Sequence, residues 1–159
     1  YKASPSFLVL KGDANATTTL GSGAQLYGKL AGQLADAALV SGEQMAAGGA
    51  NSVRGYLSAE ATGDYGISGT VEWRTPQLTY FSQLENWRLF AFADAARLRI
   101  RDPMVEQKDL FGLASAGVGS SFQFLRNLTG RVDFSYPLRD GPRTHKHSRR
   151  INFNLSASY

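Results

Sequence analysis

The chain of 159 residues is of single-domain size, with 43% hydrophobic residues and 19% charged ones, against the about 25% charged that soluble domains usually carry. It has no cysteine, which excludes disulfide scaffolds, thiolate metal sites and cysteine catalysis. The net charge of +4 is a mild excess gathered in two places, and no stretch approaches the roughly 18 consecutive apolar residues that a membrane-spanning helix needs.

In chain order, Tyr1-Lys2-Ala3-Ser4-Pro5 lacks a basic n-region and Phe7-Leu8-Val9-Leu10 is too short for a signal-peptide core. The start, without an initiator Met, reads as a mature piece or a portion cut from something longer. Ser6 to Leu10 is a short apolar run, a strand or the end of one. Residues 24–34 then alternate: Leu26, Leu30 and Leu34 (with Gly28 and Gly32 between) oppose Gln25, Tyr27, Lys29 and Gln33. Successive side chains of a strand point to opposite faces, so this predicts an apolar wall backed by a polar one. The alanine-rich segment Ala35 to Leu39 is the one place where a helix is expected at all. A long segment of about residues 35–63 follows.

Residues 64–75 alternate again, with Tyr65, Ile67, Gly69, Val71 and Trp73 against Asp64, Ser68, Thr70, Glu72 and Arg74, until Pro76 ends the ladder. Residues 87–99 are strand-like through Trp87, Leu89, Phe90 and Phe92, with the two phases less separated. After a loop at Asp102-Pro103, residues 111–124 oppose Ala114, Ala116, Val118, Phe122 and Phe124 to Ser115, Gly117, Gly119, Ser121 and Gln123. Leu125-Arg126-Asn127 reads as a tight turn. Residues 128–136 oppose Leu128, Gly130, Val132, Phe134 and Tyr136 to Thr129, Arg131, Asp133 and Ser135. Beyond the Gly141-Pro142 loop, the last nine residues set Ile151, Phe153, Leu155, Ala157 and Tyr159 against Asn152, Asn154, Ser156 and Ser158. About seven strands result.

A soluble sandwich also buries one face of each strand, so alternation leaves the solvent open. Two features favour a barrel in a membrane. The polar faces carry Gln, Asn, Ser, Thr and Arg with many glycines, as in a hydrated lumen. The apolar faces end in aromatics, Tyr65, Trp73, Tyr136 and Tyr159, the girdle of an outer-membrane β-barrel.

The segment Gly48-Gly49-Ala50-Asn51-Ser52-Val53-Arg54-Gly55-Tyr56 resembles the hallmark loop of the two-partner secretion transporters, the hemolysin activator/secretion proteins. These belong to the superfamily of barrel assembly factors that includes BamA. Gly63-Asp64-Tyr65-Gly66 and Val71-Glu72-Trp73-Arg74-Thr75-Pro76 are similar to the family's next strand, and Phe92-Ala93-Asp94-Ala95 to its Phe-x-Asp element. The resemblance runs from about Leu26 to Tyr159. Ala96 departs from it, since the family tends to place Gly there.

The resemblance implies an antiparallel transmembrane β-barrel of sixteen strands, of which residues 1–159 would be the carboxyl-terminal part. Amino-terminal periplasmic repeats and early strands would precede it. It implies that the loop folds back into the barrel, with Arg54 paired to Asp94 beside Phe92, and with Gly48, Gly49 and Gly55 allowing close approach around Val53 and Tyr56. Glu72 and Arg74, on the polar face, would extend that network. The terminal strand resembles the signal by which barrels are taken up by the assembly machinery, carried by Phe153, Leu155 and Tyr159 through strand addition.

The expected function is export of a large unfolded partner protein across the outer membrane of a Gram-negative bacterium, without nucleotide hydrolysis. The alternatives are a BamA-like barrel-insertion factor and a soluble β-sandwich binding module. The basic clusters (Arg97, Arg99, Arg101; Arg139, Arg143, Lys146, Arg149, Arg150 with His145 and His147) suit lipopolysaccharide phosphates or solvation. The aromatics lie on apolar faces rather than among these arginines, so nucleic acid is not an expected partner. His145-x-His147 has no neighbouring ligand set, and neither a Gly-x-Ser-x-Gly nor a phosphate-cradling loop occurs. No metal, cofactor or catalysis is expected.

Overall fold

A computed structural model of the chain describes residues 6–80, 84–124 and 127–158. Among the described residues nine strands are formed: β1 (Val9–Thr19), β2 (Gln25–Ala35), β3 (Met45–Ala47), β4 (Ala61–Gly63), β5 (Tyr65–Arg74), β6 (Leu84–Arg99), β7 (Leu110–Phe124), β8 (Leu128–Pro137) and β9 (Arg150–Ala157). Seven make one antiparallel sheet in the order β1-β2-β5-β6-β7-β8-β9, and β3 with β4 makes a small hairpin. Among the described residues there is no helix. Tyr159, expected to close the aromatic terminus, and the Leu125-Arg126 part of the expected turn lie outside the described residues.

Two expectations are corrected. The alanine-rich segment is not helical: Ala35 ends β2, and Leu39 is buried in an irregular turn held by its N–H donating to Asp64 Oδ1 at 2.9 Å. The first strand is not the short run ending at Leu10 but eleven residues, Val9–Thr19, paired with β2 along its whole length.

Register fixes the faces. Along β5 and β6, Gly66, Ser68, Thr70 and Glu72 pair with Leu98, Ala96, Asp94 and Phe92, so these positions share one side of the sheet. Asp94 pairs on its other flank with Ser115, and Gly119 of β7 with Asp133 of β8. This polar side also takes Asn152 and Asn154 of β9. The other side holds Val71, Val132 and Leu155, which are 57%, 40% and 62% exposed. No second sheet or helix of the described residues covers them, as the partner layer of a soluble sandwich would. The apolar face looks outward.

The core lies on the polar side, where residues 36–64 fold back over the sheet. Val53, Tyr56, Ala47 and Ala61 from this segment pack on Ala96, Leu98 and Leu113 of β6 and β7. Pairing of β6 with both neighbours runs unbroken through Ala96, so the departure from the family's glycine leaves no bend there. The irregularity sits earlier, between Glu85 and Arg88, and beyond it β6 alternates strictly.

The connections also differ between ends. β1–β2, β5–β6 and β7–β8 are joined at one end by links of 5, 9 and 3 residues, and β2–β5, β6–β7 and β8–β9 at the other by links of 29, 10 and 12 residues. Short turns on one side and long loops on the other are usual for membrane barrels.

Candidate functional site

The segment over the polar side is steered by its glycines. Gly48, Gly49 and Gly55 have φ of 110°, 96° and 95°, a region that side-chain-bearing residues rarely adopt. A Cβ on Gly48 would also run into Leu57 O, and one on Gly55 would stand 3.2 Å from the Pro137 ring at the end of β8. Val53, between them, and Tyr56, just after Gly55, are wholly buried. The Tyr56 hydroxyl lies 2.9 Å from Ala114 O and 2.8 Å from Arg139 O, bridging β7 and the chain just past β8. The segment is therefore locked in front of Arg54 and behind it.

Arg54, 5% exposed, projects from this locked turn to two carboxylates. Its Nε donates to Asp94 Oδ2 at 2.8 Å and its Nη2 to Asp94 Oδ1 at 2.8 Å, a two-pronged grip. Its backbone N–H adds a third bond to Asp94 Oδ2 at 3.0 Å. Its Nη1 donates to Glu72 Oε2 at 3.0 Å. The guanidinium plane lies over the Phe92 ring, 3.4 Å from the centroid. The ring's negative face favours a cation, more so when water is excluded.

Glu72 gathers two further arginines. Arg74 Nε donates to its Oε1 at 2.8 Å, and Arg131 Nη2 to its Oε2 at 2.5 Å. Arg131, from β8, lies over the Phe90 ring at 3.9 Å, repeating the Arg54–Phe92 arrangement. The two rings fit because β7 offers no side chain opposite them. A Cβ on Gly117 would fall into the Phe92 ring, and one on Gly119 into the Phe90 ring.

Arg54, Asp94, Phe92, Glu72 and Arg74 thus meet in one cluster, while Arg131 is a member that the sequence reading did not single out. Its inward phase on β8 was legible, but nothing local reveals that β8 lies across β7 from Phe90. A further buried carboxylate, outside this cluster, was also missed. Glu60, 4% exposed, accepts from Arg143 N–H at 2.6 Å, Thr144 N–H at 2.8 Å and Thr144 Oγ1 at 2.9 Å. Burial alone would push this carboxyl up; the donors, led by the Arg143 amide, hold it below the ordinary glutamate value. It ties the segment before β5 to the β8–β9 loop.

The terminal residues stand apart from this cluster. Phe153 and Leu155 lie on the outward face of β9, 83% and 62% exposed, and β9 pairs only with β8 among the described residues.

The model of the haemolysin secretion/activation protein family ShlB/FhaC/HecB matches residues 2–122. The chain belongs to this family. A solved structure, CdiB from Acinetobacter baumannii, aligns with a TM-score of 0.71 at 18% identity, covering 96% of this chain and 27% of that one. At that identity the likeness speaks for the fold alone, an antiparallel β-barrel to which this haemolysin secretion/activation sheet contributes seven strands. The chain spans about a quarter of the CdiB length, 27%. No curated protein matches it in sequence. Members of the haemolysin secretion/activation family are outer-membrane transport proteins, not known as enzymes, and the family implies a secreted protein partner.

Proposed function

We propose that this chain is the carboxyl-terminal part of a barrel that exports a large unfolded partner protein across the outer membrane, without nucleotide hydrolysis. The observation that carries the reading is the two-sidedness of the sheet. Its outward side is apolar and uncovered, and its inward side is polar and occupied by a segment gripped through Arg54, Asp94 and Glu72. In this reading the segment of about residues 35–63 is an inward-folded element that holds the barrel in its conducting form. Phe153, Leu155 and Tyr159 serve recognition by the barrel assembly machinery, and outer-membrane lipid surrounds Val71, Val132 and Leu155.

Physical chemistry supports such a seat. Removing one partner of a well-buried ion pair strands the other and costs about 3–5 kcal/mol, so the seat is an effective lock. Glycine and Gly55's approach to Pro137 make it specific to one path of the chain.

The experiment is export by the full-length parent, co-expressed with its secreted substrate, comparing wild type with Arg54→Ala. The reading expects the variant in the outer membrane but no substrate in the medium. Full export by a membrane-inserted Arg54→Ala protein would contradict it. An assembly factor differs in the readout: loss of Arg54 would then deplete other outer-membrane proteins.

A further inference from the structure

The outward face is apolar except at one end. There, Arg97 and Arg99 project from the last turns of β6, at the end that bears the long loops. Arg99 is met by Asp109 at 3.3 Å. Arg97 has no carboxylate partner among the described residues. Arg139, just past β8, joins it: a Cβ on Gly112 would stand 3.3 Å from Arg139 Nη1, and Gly112 is the residue that pairs with Arg97 across β6 and β7. Arg139 likewise has no ion-pair partner among the described residues. Two unpaired guanidiniums rim one place.

Beneath them lies a trough of about 580 Å³ in which Gly69, Ala95 and Gly112 form the floor and Leu30, Ile67 and Leu110 the walls. A neighbouring apolar trough of about 700 Å³, bordered by Leu10 and Leu34, shares Ile67 and Arg97 with it. Small residues thus open furrows in a face that otherwise carries exposed leucines and valines. An occupant must offer apolar length along the strands and an anion at their end.

We infer that Arg97 and Arg139 form a binding site for the phosphorylated glycolipid of the outer leaflet, with an acyl chain in the trough and a sugar phosphate between the two guanidiniums. The inference rests on the proposed function only for placing the long loops outside the cell. Guanidinium forks match phosphate oxygens two at a time, and a shared anion relieves the repulsion between the paired cations. The level is right, since Tyr65 lies one outward position beyond Ile67, the residue opposite Arg97, at the aromatic girdle. Other occupants fit less well. A peptide would seek backbone partners, but Gly69, Ala95 and Gly112 already lie within the ladders of β5, β6 and β7. A second copy of the same face would bring arginine against arginine.

The test uses the full-length parent protein in nanodiscs of phosphatidylcholine doped with bisphosphorylated lipid A, with retained lipid counted by native mass spectrometry. Wild type is expected to retain lipid A at least about tenfold better than its dephosphorylated form, the scale of one charge-assisted pair. Arg97→Gln/Arg139→Gln is expected to lose that preference, whereas Lys29→Gln, on the opposite face, keeps it. Arg139→Gln alone gives an intermediate loss and serves if the double variant fails to insert. Equal retention by the arginine variants overturns the site, as does equal retention of the dephosphorylated lipid. Displacement of lipid A by millimolar inorganic phosphate overturns it too, since the phosphate alone would then suffice. Because export is assayed separately, normal export with no lipid preference removes this site and leaves the proposed function standing. Failure of the wild-type parent to insert in membranes removes the function instead.

Discussion

The guanidinium of Arg54 lies flat over the Phe92 ring, 3.4 Å from its centroid, while its edges grip the Asp94 carboxylate two residues further along the same strand face. The geometry resolves an oddity of the sequence, in which Phe90, Phe92 and Asp94 share one phase of a strand that ought to face water. The phenyl groups are platforms for arginines that arrive from elsewhere in the chain. Ring and carboxylate together specify a planar, forked cation, and an ammonium cannot satisfy both.

Arg54→Ala therefore leaves Asp94 with the backbone N–H of residue 54 alone, since both of its side-chain donors among the described residues come from Arg54, while Glu72 keeps Arg74 and Arg131. The expected loss is about 3–5 kcal/mol in the seating of the segment. Arg54→Lys is expected to recover only part of it, because one ammonium cannot fork to Asp94 and reach Glu72 as well. Arg54→Ala/Asp94→Asn is expected to be milder than the two single losses summed. Proteolysis of residues 36–60 in the folded parent protein reads each difference.

Arg131 acts on Arg54 through Glu72. Both donate to Glu72 Oε2, at 2.5 Å and 3.0 Å, so each lowers the cost of the other's neighbour being a buried anion. A double-mutant cycle with Arg54→Ala and Arg131→Gln is expected to give a coupling of about 0.5–3 kcal/mol, the range for residues in one network. Additive effects would show the two arginines to be independent.

Gly117→Val is expected to dislodge the Phe92 ring, since its Cβ falls where that ring lies, and to cost about 1–3 kcal/mol as overpacking does. Gly28→Ala is the control, since nothing stands within 4 Å of the added carbon. Thermal shifts of gel migration for the two variants, measured side by side, check the difference.

The Glu60 clamp carries a pH dependence with a definite sign. Its folded carboxyl lies below the unfolded value of about 4.3, so the folded state binds protons less readily and is favoured above that pH. The contribution is complete at neutral pH and is lost as pH falls through the lower, folded value. Protection of the Arg143 and Thr144 amides, the ratio of intrinsic to observed exchange rate, is expected to fall in acid. In Glu60→Gln that acid dependence is expected to vanish.

Much of the sheet was legible in the sequence because apolar and polar side chains alternate with strong contrast, as in β5, β8 and β9. β1 was not, though it obeys the same rule. Its outward positions Gly12, Ala14, Ala16 and Thr18 are too small or too polar to stand out against Lys11, Asp13, Asn15 and Thr17. The alanines before Leu39 suggested helix from composition, but Leu39 is held by the buried Asp64 carboxylate, and tertiary bonding overrides propensity. The cluster was legible only where a motif marked it. Arg131 reaches Glu72 across 59 positions and Thr144 reaches Glu60 across 84, and no local pattern encodes such meetings.

The most direct measurement exploits the absence of cysteine from these 159 residues, with any cysteine elsewhere in the full-length protein replaced by serine. Single cysteines at Val71, Val132 and Asn154 and at Thr70 can each be spin-labelled in the full-length protein in outer membranes, and collisions with oxygen and with a water-soluble nickel chelate compared. Labels at 71 and 132 are expected to meet oxygen in lipid, and labels at 70 and 154 to meet nickel in water. Nickel contact at 71 and 132 equal to that at 154 would contradict a sheet with lipid on one side and a hydrated interior on the other.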